Sequence, residues 1–435
     1  MKRRTFLTAS SIAAMASGNP FANAEDTPVR AQPLHASFWG TQYYDDKERD
    51  QLNEVLTSQS PFRWYGKVQP MKVASFEKEF AQRMKTQYVL AVTSGTAALQ
   101  CAVNALEIGP GDEVILPAWT WHSCYTAVVL AGGLPVFAEV DHSFNLDPDD
   151  IEHRITPNTK AIIVVHLQGN PADMDRIVPV ARKHNLRIIE DCAQSLGASY
   201  KGRPVGSMGD IGIYSLQLNK TITAGEGGAV ASNNPELFER ASRFHDLGML
   251  RAPHQQWIGE QRLSPFAGCN FRMSEFAGGV LLAQTRKLDR IIQDVRSNAQ
   301  RVYEGVRDLP GIKFRHLPDS AGELGTGVYV DFRNKQRRDR FMDLMKAENV
   351  PANAPAGSAL LPVQPYIENK ATVHPAWPTF TSERGKSIQY GAACCPRTID
   401  VLNRFAGVLM DPKFTRRETD DIIAAIRKVY PKVMV

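Results

Sequence analysis

Between residues 76 and 232 the chain alternates short, β-rich apolar runs with longer helical patterns, and few folds accommodate that alternation. Val89-Leu-Ala-Val-Thr93, Glu113-Val-Ile-Leu116, Pro135-Val-Phe137, Ala161-Ile-Ile-Val-Val165 and Arg187-Ile-Ile-Glu190 read as strands, and 96–106, 122–131, 173–184 and 235–247 as helices. Runs apolar on both faces and joined by helices predict an α/β domain whose mostly parallel sheet is sandwiched between helical layers. Gly109-Pro-Gly-Asp112 and Gly132-Gly133 mark tight turns between them. Ligands of such sheets bind at the carboxyl ends of the strands, so the residues closing each strand are the candidates for chemistry. At 435 residues the chain is too long for one small domain. A long helical pattern over 274–309 leads from a large domain, 76–299, into a smaller C-terminal α/β domain, 300–435, in which 351–378 is proline-rich and irregular and 416–430 is a closing amphipathic helix.

The first residues form a separate module. Lys2-Arg3-Arg4-Thr5-Phe6-Leu7 is a twin-arginine sequence, followed by a weakly apolar stretch and by Ala22-Asn23-Ala24, a small-x-small cleavage site. Residues 1–24 are therefore expected to be an export signal, leaving a periplasmic protein whose segment 25–75 precedes the large domain. Lys2, Arg3 and Arg4 are the signal's only charges, so the mature chain carries 48 basic and 46 acidic residues, net +2. That balance gives no electrostatic basis for binding nucleic acid or an anionic membrane. Beyond the signal no apolar run approaches the ~20 residues of a membrane span. The six cysteines, Cys101, Cys124, Cys192, Cys269, Cys394 and Cys395, show no C-x-x-C pair and no metal spacing with histidine, so no metal is expected.

Lys220 stands in Ser215-Leu-Gln-Leu-Asn-Lys-Thr-Ile-Thr-Ala-Gly-Glu-Gly-Gly228, about thirty residues after a strand ending in Glu190-Asp191. A lysine in a glycine-rich, otherwise uncharged loop, with an acid closing an apolar strand, suggests pyridoxal phosphate (PLP), which needs an amine to hold it and a carboxylate to keep its pyridine nitrogen protonated. Asp191 is costly to bury unless a cation or donor meets it. Ser94-Gly95-Thr96 follows a strand and opens a helix, where backbone N–H groups and the helix dipole favour a phosphate; the same motif also serves as a plain helix cap. Ser215 ends another strand and offers a hydroxyl. Trp121, at the end of Pro117-Ala-Trp-Thr-Trp121, is placed to stack on a ring or to fill the core.

Together these residues resemble the DegT–StrS family of sugar aminotransferases, PLP enzymes of fold type I. The specific matches are Ser94-Gly-Thr-Ala-Ala-Leu99, Gly109-Pro-Gly-Asp-Glu-Val-Ile115, Ile155-Thr-Pro-Asn-Thr-Lys-Ala161, Val165-His-Leu-Gln-Gly169, Ile189-Glu-Asp-Cys-Ala-Gln194, Tyr200-Lys-Gly-Arg203 and 220–228. The resemblance implies that Lys220 carries PLP as an aldimine, that Asp191 pairs with the pyridine nitrogen and that Gln194 bonds the phenolic oxygen. It further implies that Gly95, Thr96 and Ser215 hold the phosphate and that Trp121 stacks on the ring. Asn270, in Gly268-Cys-Asn-Phe-Arg272, matches an asparagine that reaches a neighbouring subunit's phosphate, which implies a homodimer with shared active sites. Arg63-Trp-Tyr65-Gly66 resembles the family's N-terminal segment on the substrate side, making Arg63 and Tyr65 substrate candidates. Gln217, where many nucleotide-sugar members have histidine, resembles the cyclitol and aminohydroxybenzoate branch.

The implied reaction moves an amino group from an amino-acid donor to a keto sugar or cyclitol. The same lysine chemistry also serves a lyase, dehydratase or deaminase acting on an amino sugar, and an exported binding protein could keep the fold without turnover. Family members normally work in the cytoplasm, so an export signal shifts the expected acceptor from a nucleotide-linked sugar to a free keto sugar, a cyclitol or another amine.

Overall fold

The computed structural model describes residues 27–35, 40–355 and 357–434; the expected signal, 1–24, lies outside them. The two main sheets comprise β1 Tyr88–Val92, β2 Glu113–Pro117, β3 Leu134–Ala138, β4 Thr159–Val165, β5 Arg187–Asp191, β6 Ile211–Ser215, β7 Gly228–Ser232, β8 Gly327–Asp331 and β9 Phe405–Leu409. The first seven form one sheet in the order β3-β2-β4-β5-β6-β7-β1. Its pairings are parallel from β3 to β6, whereas β7 runs antiparallel to both β6 and β1. The mostly parallel sheet is thus as expected, and β2, β3, β6 and β7 are buried along their whole length. β7 is the strand the sequence hides, because Gly-Ala-Val-Ala-Ser has little bulk or β-branching to announce it.

Local chemistry starts the helices where the sequence indicates. Ser94 caps the helix Gly95–Ala105 by accepting from Ala97 N at 3.0 Å, and Asn234 caps Pro235–His245, accepting from Glu236 N at 2.9 Å ahead of a proline in the first turn. The long pattern over 274–309 is two helices, Glu275–Thr285 and Leu288–Val306. At the break Thr285 Oγ1 donates back to Leu281 O at 2.7 Å, and Lys287 Nζ is drawn 2.6 Å from the buried Glu48 carboxylate. The second helix runs across residue 300 into the smaller domain, where β8 and β9 pair antiparallel beside the helices Lys335–Ala347, Pro396–Arg404 and Arg416–Met434. The proline-rich stretch is turns and short helical pieces, including Leu361–Val363 and Pro365–Glu368. All six cysteines are free thiols. Among the described residues no helix is long and apolar enough to cross a membrane.

Candidate active site

The carboxyl ends of β2, β5 and β6, together with the turn after β1, gather most of the expected residues. Gly95 lies so close to the end of β6 that a Cβ there would sit 2.6 Å from Ser215 Cβ, and a Cβ on Gly228 would sit 2.2 Å from Ser94 O. Both positions therefore require glycine: the lysine hairpin between β6 and β7 is pressed against the start of the helix Gly95–Ala105. The Gly95 and Thr96 N–H groups at that helix start have no acceptor among the described residues. The Thr96 hydroxyl shares a 2.7 Å hydrogen bond with Ser123, and Ser215 is the hydroxyl nearest Gly95. Two free N–H groups, a helix dipole and hydroxyls form a donor set suited to a phosphate dianion.

Asp191 is buried at the end of β5, where its Oδ1 accepts from Ala193 N at 2.9 Å and its Oδ2 from the Cys124 thiol at 3.1 Å. Burial pushes its pKa up, and the Ala193 N–H, the Cys124 thiol and the nearby Lys220 together oppose that only in part. Lys220 rises from the hairpin 216–227, its own N–H bonded to Gln217 O at 3.0 Å. Burial lowers the pKa of its ammonium while the Asp191 charge pulls it back up, so the two groups share one electrostatic field. No hydrogen bond or ion pair to Lys220 Nζ forms among the described residues. A buried acid that resists ionising and a buried amine that resists protonation, each within the other's field, form a pair that a pyridinium-bearing aldehyde would satisfy.

Gln194 Oε1 accepts from Gln168 N at 3.4 Å, which orients its Nε2 donors away from that contact. Gln168 is held from the smaller domain, by Tyr329 OH at 3.2 Å on its Oε1 and Arg315 Nη1 at 3.1 Å on its carbonyl. Trp121 precedes the helix His122–Leu130 and is 59% exposed, its ring edge-on to His122 at 5.3 Å. Gln217 Oε1 turns to Asn219 N at 2.9 Å. Asn270 is exposed and accepts from Arg272 N at 3.4 Å, away from the Lys220 hairpin's own bonds.

The two N-terminal candidates stand apart from this cluster. Arg63 turns inward, where its guanidinium pairs with Glu77 at 2.7 Å, donates to Ala91 O at 3.5 Å and lies 4.1 Å from the Trp64 ring centroid. That buried ion pair accounts for its charge without a ligand. Tyr65 is 68% exposed, with Phe62 as its ring neighbour at 4.7 Å.

Sequence reasoning passed over Cys124 and Ser123, which the turn of the helix His122–Leu130 brings to Asp191 and Thr96. Their position just past a strand end, beside Trp121, was the available signal. It also passed over His166 and Glu190. With Cys192 these could surround one ion, but His166 Nδ1 accepts from Ala172 N at 3.0 Å and its Nε2 donates to Glu190, which takes further N–H groups from Gly206, Met208 and Gly209. The Cys192 thiol in turn donates to Glu190 O at 3.8 Å, so each of the three side chains already has a partner within the protein.

A seven-stranded sheet of this order, with a lysine hairpin at its carboxyl edge, has the architecture of PLP-dependent aminotransferases. The chain belongs to the DegT/DnrJ/EryC1/StrS aminotransferase family, whose model matches residues 42–383. It is 38% identical over 264 residues to a GDP-perosamine synthase of Escherichia coli O157:H7, across 60% of this chain and 69% of that protein. To an L-glutamine:2-deoxy-scyllo-inosose aminotransferase of Micromonospora echinospora it is 38% identical over 291 residues, across 63% of this chain and 69% of that one. Among solved structures it superposes on a 3-amino-5-hydroxybenzoic acid synthase with a TM-score of 0.75 at 27% identity, covering 91% of this chain and 99% of that chain. It is an aminotransferase, and its cofactor is pyridoxal phosphate.

Proposed function

We propose that this enzyme moves an amino group from an amino-acid donor to a free keto sugar or cyclitol, with Lys220 holding the cofactor and Asp191 facing its pyridine nitrogen. The observation that carries the assignment is the Lys220–Asp191 pair: an amine with no hydrogen-bond partner among the described residues, in the field of a buried carboxylate held by one N–H and one thiol. When bound, PLP supplies the electron sink that makes the donor's α-proton acidic and carries the amino group between half-reactions. Lys220 Nζ, its protonation weakened by burial, takes that proton and returns it in the second half-reaction. Asp191 holds a proton on the pyridine nitrogen. Gly95, Thr96 and Ser215 bind the phosphate, Gln194 presents Nε2 to the phenolic oxygen, and Trp121 covers one ring face. Gln217 favours a cyclitol-like acceptor over a nucleotide-linked one, in keeping with an exported enzyme.

The test is to present glutamine, glutamate and alanine to purified protein, follow the visible absorbance for conversion to the pyridoxamine form, and then add keto sugars and cyclitol ketones. Donor-dependent conversion reversed by an acceptor is expected. Absence of any amino-donor response in PLP-loaded protein overturns the reading in favour of a binding protein.

The active unit is a homodimer with shared sites. Trp121, Leu218, Leu247 and Met249 expose apolar surface, and the exposed Asn270 bridges to Asp246, next to Leu247, which supports a second copy seating there. Mixing Lys220→Ala with Asn270→Asp subunits then restores activity, because each heterodimer holds one site with neither defect; no recovery despite exchange verified by mass argues for sites within one chain. The location is periplasmic by the twin-arginine route, with the mature chain beginning at Glu25. An Arg3→Lys, Arg4→Lys variant keeps the charge and loses the guanidinium pair, so it stays inside with residues 1–24 attached. A parent that fractionates uncleaved in the cytoplasm defeats both the location and the argument against nucleotide-linked acceptors.

A further inference from the structure

The chain ahead of the first helix is caught by its backbone. Lys413 Nζ donates to Thr41 O at 2.9 Å, the buried Gln284 amide to Gln42 O at 3.0 Å and Lys287 Nζ to Tyr43 O at 2.7 Å. Tyr43 OH donates to Asp294 at 2.7 Å, with the Arg290 guanidinium 4.0 Å from its ring centroid. These contacts fix 42–43 to the helices Glu275–Thr285 and Leu288–Val306 and the junction between them, and Thr41 to the loop after β9. Tyr44 reaches elsewhere: its hydroxyl donates to Thr223 O at 2.6 Å, in the hairpin that carries Lys220.

Thr223 is the knot of that hairpin. Its Oγ1 donates to Leu216 O at 3.0 Å and accepts from Gly225 N at 2.8 Å, and the neighbouring Ile222 is fully buried. Leu218 N closes the hairpin on Gly225 O at 2.9 Å. The arc from Asn219 to Thr221 has only local bonds, both to Gln217: from Asn219 N to its Oε1 and from Lys220 N to its carbonyl. Among the described residues, the Tyr44 hydroxyl makes the one hydrogen bond that 216–227 receives from outside itself.

We infer that Tyr44 is a positioning residue for Lys220: anchored through its neighbours to the helices leading into the smaller domain, it fixes the far side of the lysine hairpin so that Nζ is held in the field of Asp191. The inference rests on the proposed role of Lys220. Tyr44 is 42% exposed, so deleting its hydroxyl alone removes little packing.

The test compares full-length Tyr44→Phe with Tyr43→Phe, the same chemical change one residue earlier, which loses the Asp294 bond and leaves the hairpin untouched. In cofactor-free protein, amide hydrogen exchange at Leu218 and Gly225 is expected to quicken in Tyr44→Phe and not in Tyr43→Phe. In PLP-loaded protein, Tyr44→Phe lowers kcat about fivefold with donor KM changed by less than about twofold, as loss of one neutral hydrogen bond acting on the lysine predicts. Unchanged exchange across 216–227, equal quickening in both variants, or quickened exchange with unchanged kcat each overturns it. If instead Lys220→Ala keeps its activity, the assignment of the lysine fails while the exchange result still reports on Tyr44.

Discussion

Glu190 and Asp191 are consecutive, both buried at the end of β5, and the alternation of a strand sends them to opposite faces of the sheet, where one finds a full set of donors and the other a sparse one. Glu190 receives the His166 ring at 3.0 Å and the N–H groups of Gly206, Met208 and Gly209. Burial opposes its ionisation, yet the imidazole and the backbone donors hold its pKa below the usual carboxylate range. Asp191 has one N–H and a thiol, and burial leaves its pKa raised. A carboxylate that serves the fold is saturated by the fold; one that serves a ligand is left short of the donor the ligand will bring. Predictions that separate the two acids test that distinction.

The largest effect belongs to the cation that Asp191 already senses. Lys220→Ala is expected to lower turnover at least a thousandfold, about 4 kcal/mol of barrier, while the protein folds and retains PLP non-covalently. Turnover within about tenfold of the parent would mean that another lysine holds the cofactor. Asp191→Asn comes next: loss of at least about a hundredfold in kcat, roughly 2.7 kcal/mol, because an amide cannot keep the pyridine nitrogen protonated, with no loss of stability in cofactor-free protein. A variant that is both active and less stable would erase the contrast with Glu190.

Glu190→Gln should behave the opposite way. Its amide brings two N–H groups into a shell built wholly of donors, so it is expected to lose about 3 kcal/mol of stability, the cost of leaving buried donors unmatched. Activity per folded molecule then stays within about a factor of ten. Thermal unfolding of cofactor-free protein, read beside kcat at a temperature where both proteins are folded, separates the losses.

Both acids were visible in the sequence, but only Asp191 was singled out, by its place at a strand end in a family-like motif. What a carboxylate meets across the sheet is fixed by tertiary pairing: the Gly206, Met208 and Gly209 amides come from a loop with no periodicity to announce it. The strands and helices named for the large domain were legible within a residue or two because hydrophobic runs and caps are local, whereas the short helices Pro148–Arg154 and Ala252–Ile258 gave too few turns to show a period. β7 was not, since its small residues pack tightly where bulk would collide, nor was the break at Thr285, which depends on Lys287 finding Glu48. The inward turn of Arg63 was hidden for the same reason, its partner Glu77 lying on a separate helix, Lys72–Met84.

The smallest effect is the pH dependence of stability in cofactor-free protein, and its sign differs for the two acids. Asp191 has a folded pKa above its unfolded value, so its contribution is most favourable below the ordinary carboxylate range, about 3.9 for aspartate, and is lost as pH rises through the folded value. Glu190 has a depressed folded pKa, so its contribution is present above the ordinary range and is lost as pH falls through the folded value. The melting temperature of Asp191→Asn should therefore exceed that of the parent by roughly a degree or two near neutrality and converge with it on acidification, while the acid limb set by Glu190 persists in both. Saturating PLP should reverse the neutral-pH order, because the parent alone gains a charged partner for its carboxylate. A gap that stays constant from about pH 4 to 8, with or without PLP, would show that Asp191 is as well satisfied as its neighbour.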